Sequence, residues 1–365
     1  MPEIHQSRRE LARRRVAALG ADAALITAGV NVRYLTGLAS SNAALLLPSD
    51  GEPLLATDSR YAGTAARDCP DLPLLVEREA ELALAREALR RRMPALAFEA
   101  QEVTVERHQA LAGLGDGALR LVPLGRVVED LRMVKDEAEL ELLAKACAIT
   151  GEAFLAVLGS IRPGVTEREC AIALERAMID LGAEAPAFDS IVASGPNGAI
   201  PHHVPGTRAF EPGDLVTIDC GARFGGYHAD MTRTVAVGEP AGWQREIHEV
   251  TREAQAAGIA AARPGADVGD VDAAARDRIA AAGYGENFSH GLGHGVGLQV
   301  HEAPTIGYGR TGTLRERVPI TIEPGVYLPG LGGVRIEDTL VVRAGAGAAG
   351  PAQPLTTITR ELLVL

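Results

Sequence analysis

The chain has 365 residues, 47% of them hydrophobic, which is enough for two domains with substantial buried cores and excludes a disordered protein. The net charge is -12, and the sequence has no run of Lys or Arg that could bind a nucleic-acid phosphate backbone, so nucleic acid is not an expected partner. The N-terminus carries charges where a signal peptide would be apolar, and no stretch approaches transmembrane length. We therefore expect a cytoplasmic protein with no membrane partner.

The four cysteines lie far apart in the sequence, without a C-x-x-C or paired spacing. This pattern predicts reduced core residues in a cytosolic protein, namely Cys69, Cys147, Cys170 and Cys220. Cys220 adjoins Asp219 and is the one exception that the sequence leaves open.

The first ~125 residues alternate short apolar runs with helical patterns, which predicts an α/β domain. The predicted strands are Ala23 to Thr27, Ala43 to Leu47, Pro53 to Thr57, Ala95 to Phe98 and Leu119 to Val122. The predicted helices are Ser7 to Leu19, Ser59 to Arg67, Glu81 to Arg92 and Val105 to Leu111. A long charged amphipathic stretch, Glu137 to Leu158, follows. We place the boundary near residue 130, which gives domains of residues 1–130 and 131–365.

The second domain contains an internal repeat, which predicts a pseudo-twofold fold. Arg162-Pro-Gly164 and Arg263-Pro-Gly265 each precede a helical pattern that ends 18 residues after the glycine, at Gly182 and Gly283. Thr166 with Glu169 predicts a capping box at the first helix, and Asp267 predicts a cap at the second. We expect both helical units to pack on one curved sheet of four strands, Val216 to Arg223, Tyr227 to Val237, Pro319 to Ile322 and Val334 to Val342.

Five residues in this domain have the chemistry of metal ligands: Asp219, Asp230, His294, Glu323 and Glu337. Four carboxylates and one imidazole would suit two divalent cations, whose four positive charges balance the carboxylates, and such a site is typical of hydrolases. A single strand Asp is more often a solvated carboxylate than a ligand. Glu337, however, lies in an apolar strand, where an unpaired charge would be costly and a cation is called for.

Glycines surround His294, at positions 291, 293, 295 and 297, and allow backbone or substrate to approach closely. A phosphate-binding loop is the alternative, but the G-x-x-x-x-G-K pattern is absent from the sequence. Seven of the nine histidines follow residue 200, and this concentration favours an active site near His202, His290 and His301. We interpret His203 and His228 as structural.

These segments resemble the metal-dependent Xaa-Pro peptidases, which comprise prolidases and aminopeptidases P, with methionine aminopeptidases and creatinase as relatives. The five ligand segments appear in the family's order, with the Asp pair 11 residues apart, and the resemblance covers roughly residues 130 to 365. Two further motifs, Asn31 to Gly37 and Thr57 to Tyr61, resemble the creatinase-like N-terminal domain. The resemblance implies an α/β creatinase-like N-terminal domain and an α+β pita-bread catalytic domain with an internal pseudo-twofold repeat.

The resemblance also implies a role for each candidate ligand. Asp230 and Glu337 would bridge two metal ions, Asp219 would bind one of them, and His294 and Glu323 would bind the other. Because most ligand atoms are hard oxygens, Mn²⁺ suits the site best, with Co²⁺ and Zn²⁺ as alternatives.

The remaining roles concern substrate and catalysis. His202 resembles the family's proton-shuttling or intermediate-stabilising histidine, and His290 and His301 resemble its substrate-contacting histidines. Arg335 matches an arginine that supports the site in several members, and Glu323 is expected to return a proton to the departing proline nitrogen.

The implied activity is hydrolysis of the bond between an N-terminal residue and proline in a peptide substrate. We favour an Xaa-Pro aminopeptidase, because none of the arginines near the motifs (Arg208, Arg223, Arg233 and Arg335) has a spacing that assigns it to a dipeptide's carboxylate. A prolidase is the alternative, followed by a non-catalytic peptide-binding protein of the same fold and by a dinuclear phosphoesterase. By analogy with the family we expect a homodimer.

Overall fold

The computed structural model describes residues 2–343 and 352–365. The chain divides into two compact units, Met1–Arg132 and Met133–Leu365. All four cysteines are buried free thiols, as predicted.

The N-terminal unit is built on a mixed six-stranded sheet, since apolar runs such as Ala23–Ile26 are buried along their whole length. The strands, in their order across the sheet, are Leu74–Val76, Leu54–Thr57, Ala43–Pro48, Ala23–Ile26, Ala95–Phe98 and Arg120–Pro123. The helices are Pro2–Ala18, Gly29–Thr36, Ala62–Asp68, Ala80–Arg90, Val105–Ala112 and Val127–Met133, with a 3-10 turn at Leu114–Gly117.

The predicted strands and helices of this unit are all present, with shifts at their ends. The sequence analysis missed Leu74–Val76, Gly29–Thr36 and Val127–Met133, because segments of three to eight residues are too short for a clear periodic pattern. Asn31, in the first N-terminal motif, is buried, and its Nδ2 donates to Glu99 Oε1 at 2.6 Å. That motif residue therefore has a structural role in the unit.

The second unit contains two helix pairs, and the second helix of each pair begins at its predicted cap. The bounds are Glu137–Val157 with Glu167–Asp180, and Gly242–Ala261 with Val268–Ala281; 3-10 turns lie at Leu158–Ser160, Gly195–Ala199 and Gly285–Asn287. Thr166 and Glu169 form the predicted capping box, and Asp267 accepts from Gly269 N.

The predicted repeat has matched backbone geometry at its glycines. Gly164 and Gly265 have φ of 90° and 85°, and Gly182 and Gly283 have φ of 99° and 89°. Left-handed residues thus flank each second helix at equivalent points, and they are glycines because only glycine adopts this conformation without a steric penalty. The chain thus makes the same helix–loop–helix unit twice.

One expectation about membranes is corrected by the structure. The helical segment Glu137–Ser160 has 24 residues and contains an 18-residue window with a mean hydropathy of 1.6. It therefore has the length and composition of a membrane-spanning helix. Half of that window is buried inside the protein, and Ile149, Ala153 and Phe154 pack in a core with Leu174 of the neighbouring helix. The apolar face thus has a partner within the fold.

The strands of the second unit form separate hydrogen-bonded sheets, which corrects the expectation of one sheet. The four-stranded sheet, in order, is Leu363–Val364, Met231–Ala236, Leu215–Cys220 and Ile191–Ser194. The five-stranded sheet is Glu302–Ile306, Gly293–Gly295, Pro319–Ile322, Asp338–Val341 and Gln353–Pro354. One smaller sheet pairs Gly325–Leu328 with Gly332–Arg335. Another has Ala222–Phe224 as its central strand, between Tyr227–His228 and Ala185–Pro186.

The predicted strand Val334 to Val342 is in fact two strands in two sheets, interrupted at residues 336 and 337. There the backbone N–H of Ile336 bonds Pro324 O, and that of Glu337 bonds Thr232 O in the four-stranded sheet. These long-range bonds replace the regular ladder, so the interruption ties the two larger sheets together next to Glu337. One helix pair packs in a core with each of these sheets.

Candidate active site

The two aspartates come from the hairpin of the four-stranded sheet. Asp219 lies in Leu215–Cys220, and Asp230 directly precedes Met231–Ala236. The antiparallel register places Thr232 opposite Asp219, so the two carboxylates lie at the same end of the hairpin. Both are buried, with 9% and 5% of their surface exposed. Neither is therefore a solvated strand carboxylate, which was the alternative to a metal ligand.

His294 lies in the five-stranded sheet, Glu323 directly follows that sheet's strand Pro319–Ile322, and Glu337 lies in the interruption between two strands of different sheets. His294 lies in Gly293–Gly295, between two glycines that the packing requires. A Cβ at Gly293 would lie 2.0 Å from Thr321 O, and one at Gly295 would lie 2.1 Å from Ala303 O. The glycines thus let the strand with His294 approach its neighbours closely; they do not form a phosphate loop.

The structure brings these ligand candidates together. His294 Nε2 lies 3.5 Å from both Asp230 Oδ2 and Glu323 Oε1. Asp230, His294 and Glu337 offer ligand atoms that all lie within 4.8 Å of one another. Asp219 is linked to the group by Arg335, whose Nη2 donates to Asp219 Oδ2 at 2.7 Å.

The carboxylates of this cluster repel one another in a buried setting. Burial raises the pKa of Asp230 well above its usual value, and the charges of Glu337, Asp219 and Glu323 raise it further. Burial likewise raises the pKa of Glu337, with contributions from Glu323 and Asp219. Burial also raises the pKa of Glu323 to about 8, although the Arg335 charge opposes the shift. Without added positive charge the cluster therefore holds protons.

His294 is prepared to act as a neutral ligand. Its Nδ1 donates to Gly295 O at 2.9 Å, which leaves the Nε2 lone pair directed at Asp230 and Glu323. Burial lowers its pKa to about 4, so the imidazole is uncharged at neutral pH.

The donor set fits divalent cations. Asp219 Oδ1 is buried and finds no hydrogen-bond partner within residues 2–343 and 352–365, although a buried carboxylate oxygen normally has one. An atom left unpaired beside raised-pKa carboxyls and a neutral imidazole is what a hard metal ion would satisfy. The candidate ligands are Asp219, Asp230, His294, Glu323 and Glu337.

A chain of polar side chains connects the substrate-side histidine to the cluster. Tyr327 OH lies 2.8 Å from His290 Nε2 and accepts from Arg335 Nη1 at 3.0 Å. His290 Nδ1 donates to Gly291 O, so its Nε2 accepts the tyrosine proton. Burial lowers the pKa of His290 to about 4 and raises the pKa of Tyr327. Arg335 also holds Asp219, so it joins His290 to the cluster through Tyr327.

The sequence analysis missed Tyr327 and Thr232. Thr232 Oγ1 donates to Glu337 Oε2 at 2.7 Å and orients that carboxylate. Tyr327 follows Glu323 by four residues, in the Pro-Gly-Val-Tyr segment, and is buried. In the sequence, an aromatic residue at such a position looks like an ordinary core residue. The signal that was available for Thr232 was its place two residues after Asp230, within the strand predicted from Tyr227 to Val237.

His202 and His301 are both exposed, and His301 lies against His294 of the buried cluster. The ring of His301 stands 4.4 Å from that of His294, at 72°. Burial lowers the pKa of His301, and the charge of His202 lowers it further, as it does for His290. His202 is therefore within electrostatic range of both. His203 and His228 are engaged elsewhere, by Glu167 and by Gly297 O.

A buried cluster of acidic candidate ligands beside exposed histidines is typical of metal-dependent hydrolases. Residues 141–344 match the metallopeptidase family M24, and residues 8–134 match the creatinase/prolidase N-terminal domain. The chain belongs to metallopeptidase family M24, and it is therefore an enzyme that hydrolyses peptide bonds and uses divalent metal.

Similar proteins cover almost the whole chain. A Bacillus subtilis protein named as an uncharacterized peptidase is 37% identical over 348 residues, which is 95% of this chain and 97% of that protein. The structure of an Xaa-Pro dipeptidase from Bacillus anthracis has a TM-score of 0.94 and 34% identity, and covers 99% of this chain and 100% of that one. The X-Pro aminopeptidase structure from Thermotoga maritima has a TM-score of 0.88 and 35% identity, with coverage of 96% and 100%. The predicted fold class, a creatinase-like domain and a pita-bread catalytic domain with a repeat, is confirmed.

Proposed function

We propose that the protein hydrolyses the peptide bond between an N-terminal residue and a following proline. The observation that carries the proposal is a buried acidic cluster whose His294 contacts the exposed ring of His301, with Arg335 linking the cluster to Pro201, next to His202. Solved relatives named for the Xaa-Pro bond, from Bacillus anthracis and Thermotoga maritima, support the substrate class.

The residues divide the chemistry between them. Cations held by the cluster would activate a water molecule and polarise the carbonyl. Glu323, whose side chain is 19% exposed, would take a proton from the attacking water and return it to the departing proline nitrogen. His202 and His301 stabilise the negative charge that develops on the carbonyl oxygen. Since the amide before proline has no N–H, recognition has to rest on the ring and the free amino terminus.

We propose Mn²⁺ as the metal, with two ions per chain. The support is the donor set of four carboxylates and one imidazole, since hard oxygen ligands favour Mn²⁺ over softer ions. Metal analysis of the purified protein and reconstitution of chelated protein with Mn²⁺, Co²⁺ or Zn²⁺ test this assignment. Highest turnover with Zn²⁺ would contradict it.

Between the two peptidase types we propose the aminopeptidase. A dipeptidase has to bind the carboxylate of its substrate with a cation, but the arginines near the motifs already contact carboxylates of the protein. The pairs are Arg208 with Asp214 at 2.5 Å, Arg223 with Glu184 at 3.5 Å, Arg233 with Asp338 at 2.6 Å and Arg335 with Asp219 at 2.7 Å. The dipeptidase remains the second candidate, because the Bacillus anthracis relative carries that name.

The deciding experiment compares Xaa-Pro-Yaa tripeptides with the matching Xaa-Pro dipeptides on Mn²⁺-loaded enzyme. We expect kcat/KM for tripeptides to equal or exceed that for dipeptides. A matched Xaa-Ala-Yaa peptide is the control and should be cleaved far more slowly. Strict confinement to dipeptides would assign the protein to the dipeptidases, and equal cleavage of the alanine peptide would contradict the proline specificity.

Two variants separate metal binding from catalysis. Asp230→Asn should lose both metal and turnover, because Asp230 lies within the ligand group. His202→Ala should keep its metal and lose kcat on the order of 10²-fold, as for a lost oxyanion donor. Full activity in metal-free Asp230→Asn protein, or a His202→Ala kcat close to that of the unaltered enzyme, would refute the respective role.

We further propose a cytoplasmic homodimer: the dimer rests on the family resemblance, and the location rests on the four cysteines, which are buried free thiols. Sedimentation at micromolar concentration and cell fractionation test these two properties.

A further inference from the structure

The segment that carries His202 has little regular structure of its own. It begins at the end of strand Ile191–Ser194, passes through the 3-10 turn Gly195–Ala199 and continues without helix or strand to Gly206. Its backbone therefore lacks the ladder of hydrogen bonds that fixes a strand, and other groups have to fix its conformation. The side chain of Glu167 provides those groups.

Glu167 is the first residue of helix Glu167–Asp180, and it is fully buried. Its carboxylate accepts five hydrogen bonds, all from the segment of residues 194–206. Oε1 accepts from Ser194 N and Oγ, both at 2.8 Å, and from Asn197 Nδ2 at 2.9 Å. Oε2 lies 2.8 Å from His203 Nε2 and accepts from Gly206 N at 3.1 Å.

These donors lie on both sides of His202 in the chain, so one carboxylate sets the path on which the histidine stands. Hydrogen bonds to an ionised carboxylate are stronger than those between neutral groups. Burial raises the pKa of Glu167, but the bonds from Asn197, His203 and Ser194 outweigh that effect and the net pKa is lowered. The carboxylate is therefore an anion that the segment itself stabilises.

The opposite side of the segment is held by the metal-binding half of the site. Arg335 Nη1 donates to Pro201 O at 3.3 Å, while its Nη2 holds Asp219. The segment also packs closely on strand Gly332–Arg335, since a Cβ at Gly333 would lie 2.3 Å from Gly198 O. His202 thus stands between two anchors, Arg335 beside the acidic cluster and Glu167 behind the segment.

We propose that Glu167 is a positioning residue for His202, which acts through the segment of residues 194–206 and touches neither substrate nor metal. The proposal rests on the proposed function, in which His202 stabilises the developing charge. If Glu167 works only through His202, its removal should matter only while that histidine is present.

The test is a double-mutant cycle on Mn²⁺-loaded enzyme. Glu167→Gln keeps the shape of the side chain but gives it an NH₂ that opposes the N–H of Gly206 or a donor at Ser194. We expect kcat to fall about 10-fold or more while KM and metal content change little. In a His202→Ala background the same change should lower kcat by less than about twofold, because positioning has nothing left to act on.

Glu169→Gln is the matched control. This side chain lies two residues further on in the same helix turn, and it accepts from Thr166 rather than from the His202 segment. We expect it to leave kcat within about twofold of the unaltered enzyme, within ordinary scatter for a helix cap. Asn197→Ala is the second variant, in case Glu167→Gln does not fold; it removes one of the five bonds and should lower kcat in the same His202-dependent way.

A second readout does not need turnover. The ring signals of His202 in ¹⁵N-histidine NMR spectra, assigned by comparison with His202→Ala, should shift in Glu167→Gln and stay unchanged in Glu169→Gln. An unshifted His202 signal, or an equal loss of kcat with and without His202, would overturn the proposal. If the unaltered enzyme fails to cleave Xaa-Pro peptides, the proposed function is wrong, and the NMR comparison still decides the positioning role.

Discussion

Loading metal into the metal-free protein should release protons. Asp230, Glu323 and Glu337 have raised pKa values because burial and mutual repulsion disfavour their ionised forms. Cations need the ionised carboxylates as ligands, so metal and protons compete for the same oxygens. His294, whose pKa burial lowers to about 4, is already neutral at pH 7 and contributes no proton.

The number of protons released follows from the raised pKa values of the three carboxyl groups. A carboxyl with a pKa of about 8, as for Glu323, is ~90% protonated at pH 7 and releases about 0.9 proton on metal binding. Asp230 and Glu337 add up to about one proton each, since their pKa values are raised well above the usual range. We therefore expect about one to three protons per chain at pH 7.

The measurement is a titration of chelated, dialysed protein with Mn²⁺ in weakly buffered solution containing a pH indicator. The release from Glu323 should decline as the pH rises through about 8, whereas a proton lost from water on metal binding would give a release that rises with pH. Glu169→Gln should match the unaltered protein. Release below about 0.3 proton per chain at pH 7 would refute the electrostatic reasoning, since Glu323 alone predicts about 0.9.

The same shift sets the pH dependence of stability. A carboxyl whose pKa is raised by folding stabilises the fold fully below its unfolded value, and that contribution is lost as the pH rises through the folded value. For Glu323 the window runs from about 4.5 to about 8. The free energy of unfolding of metal-free protein should fall across it, and metal should restore stability above it; urea unfolding at several pH values measures both.

Two further changes test the packing around the site by urea unfolding. Gly293→Ala puts a Cβ 2.0 Å from Thr321 O, so it should lower the free energy of unfolding by about 1–3 kcal/mol and weaken metal binding. Gly242→Ala is the control, because its Cβ would lie in open space, and it should leave stability unchanged. Equal stability of the two variants would contradict the close approach. Lys135→Met removes the buried cation that contacts Glu302 at 2.8 Å, so it should lower the free energy of unfolding by about 3 kcal/mol. Adding Glu302→Gln should recover most of that loss. Additive losses in the double variant would show that the ion pair is not the cause.

The candidate ligands, the helix caps and the internal repeat could be predicted from local sequence. The five candidate ligands stand in short segments whose residue types carry the chemistry, and the structure brings Asp230, His294 and Glu337 into one group. Helix caps were predictable because a capping box such as Thr166 with Glu169 spans only three residues. The repeat was visible because both copies need glycine at the same left-handed positions.

Other features were decided only by tertiary structure, because they depend on partners far apart in the chain. The strand predicted across Glu337 is broken by a bond to Thr232, 105 residues away, and no local pattern encodes that contact. Tyr327 and Glu167 look like ordinary core and helix-start residues, and their roles follow from His290 and the His202 segment, which only folding brings to them. Sequence determined which residues can bind metal, since that is side-chain chemistry; the fold determined which groups orient them, since hydrogen bonds depend on distance in space.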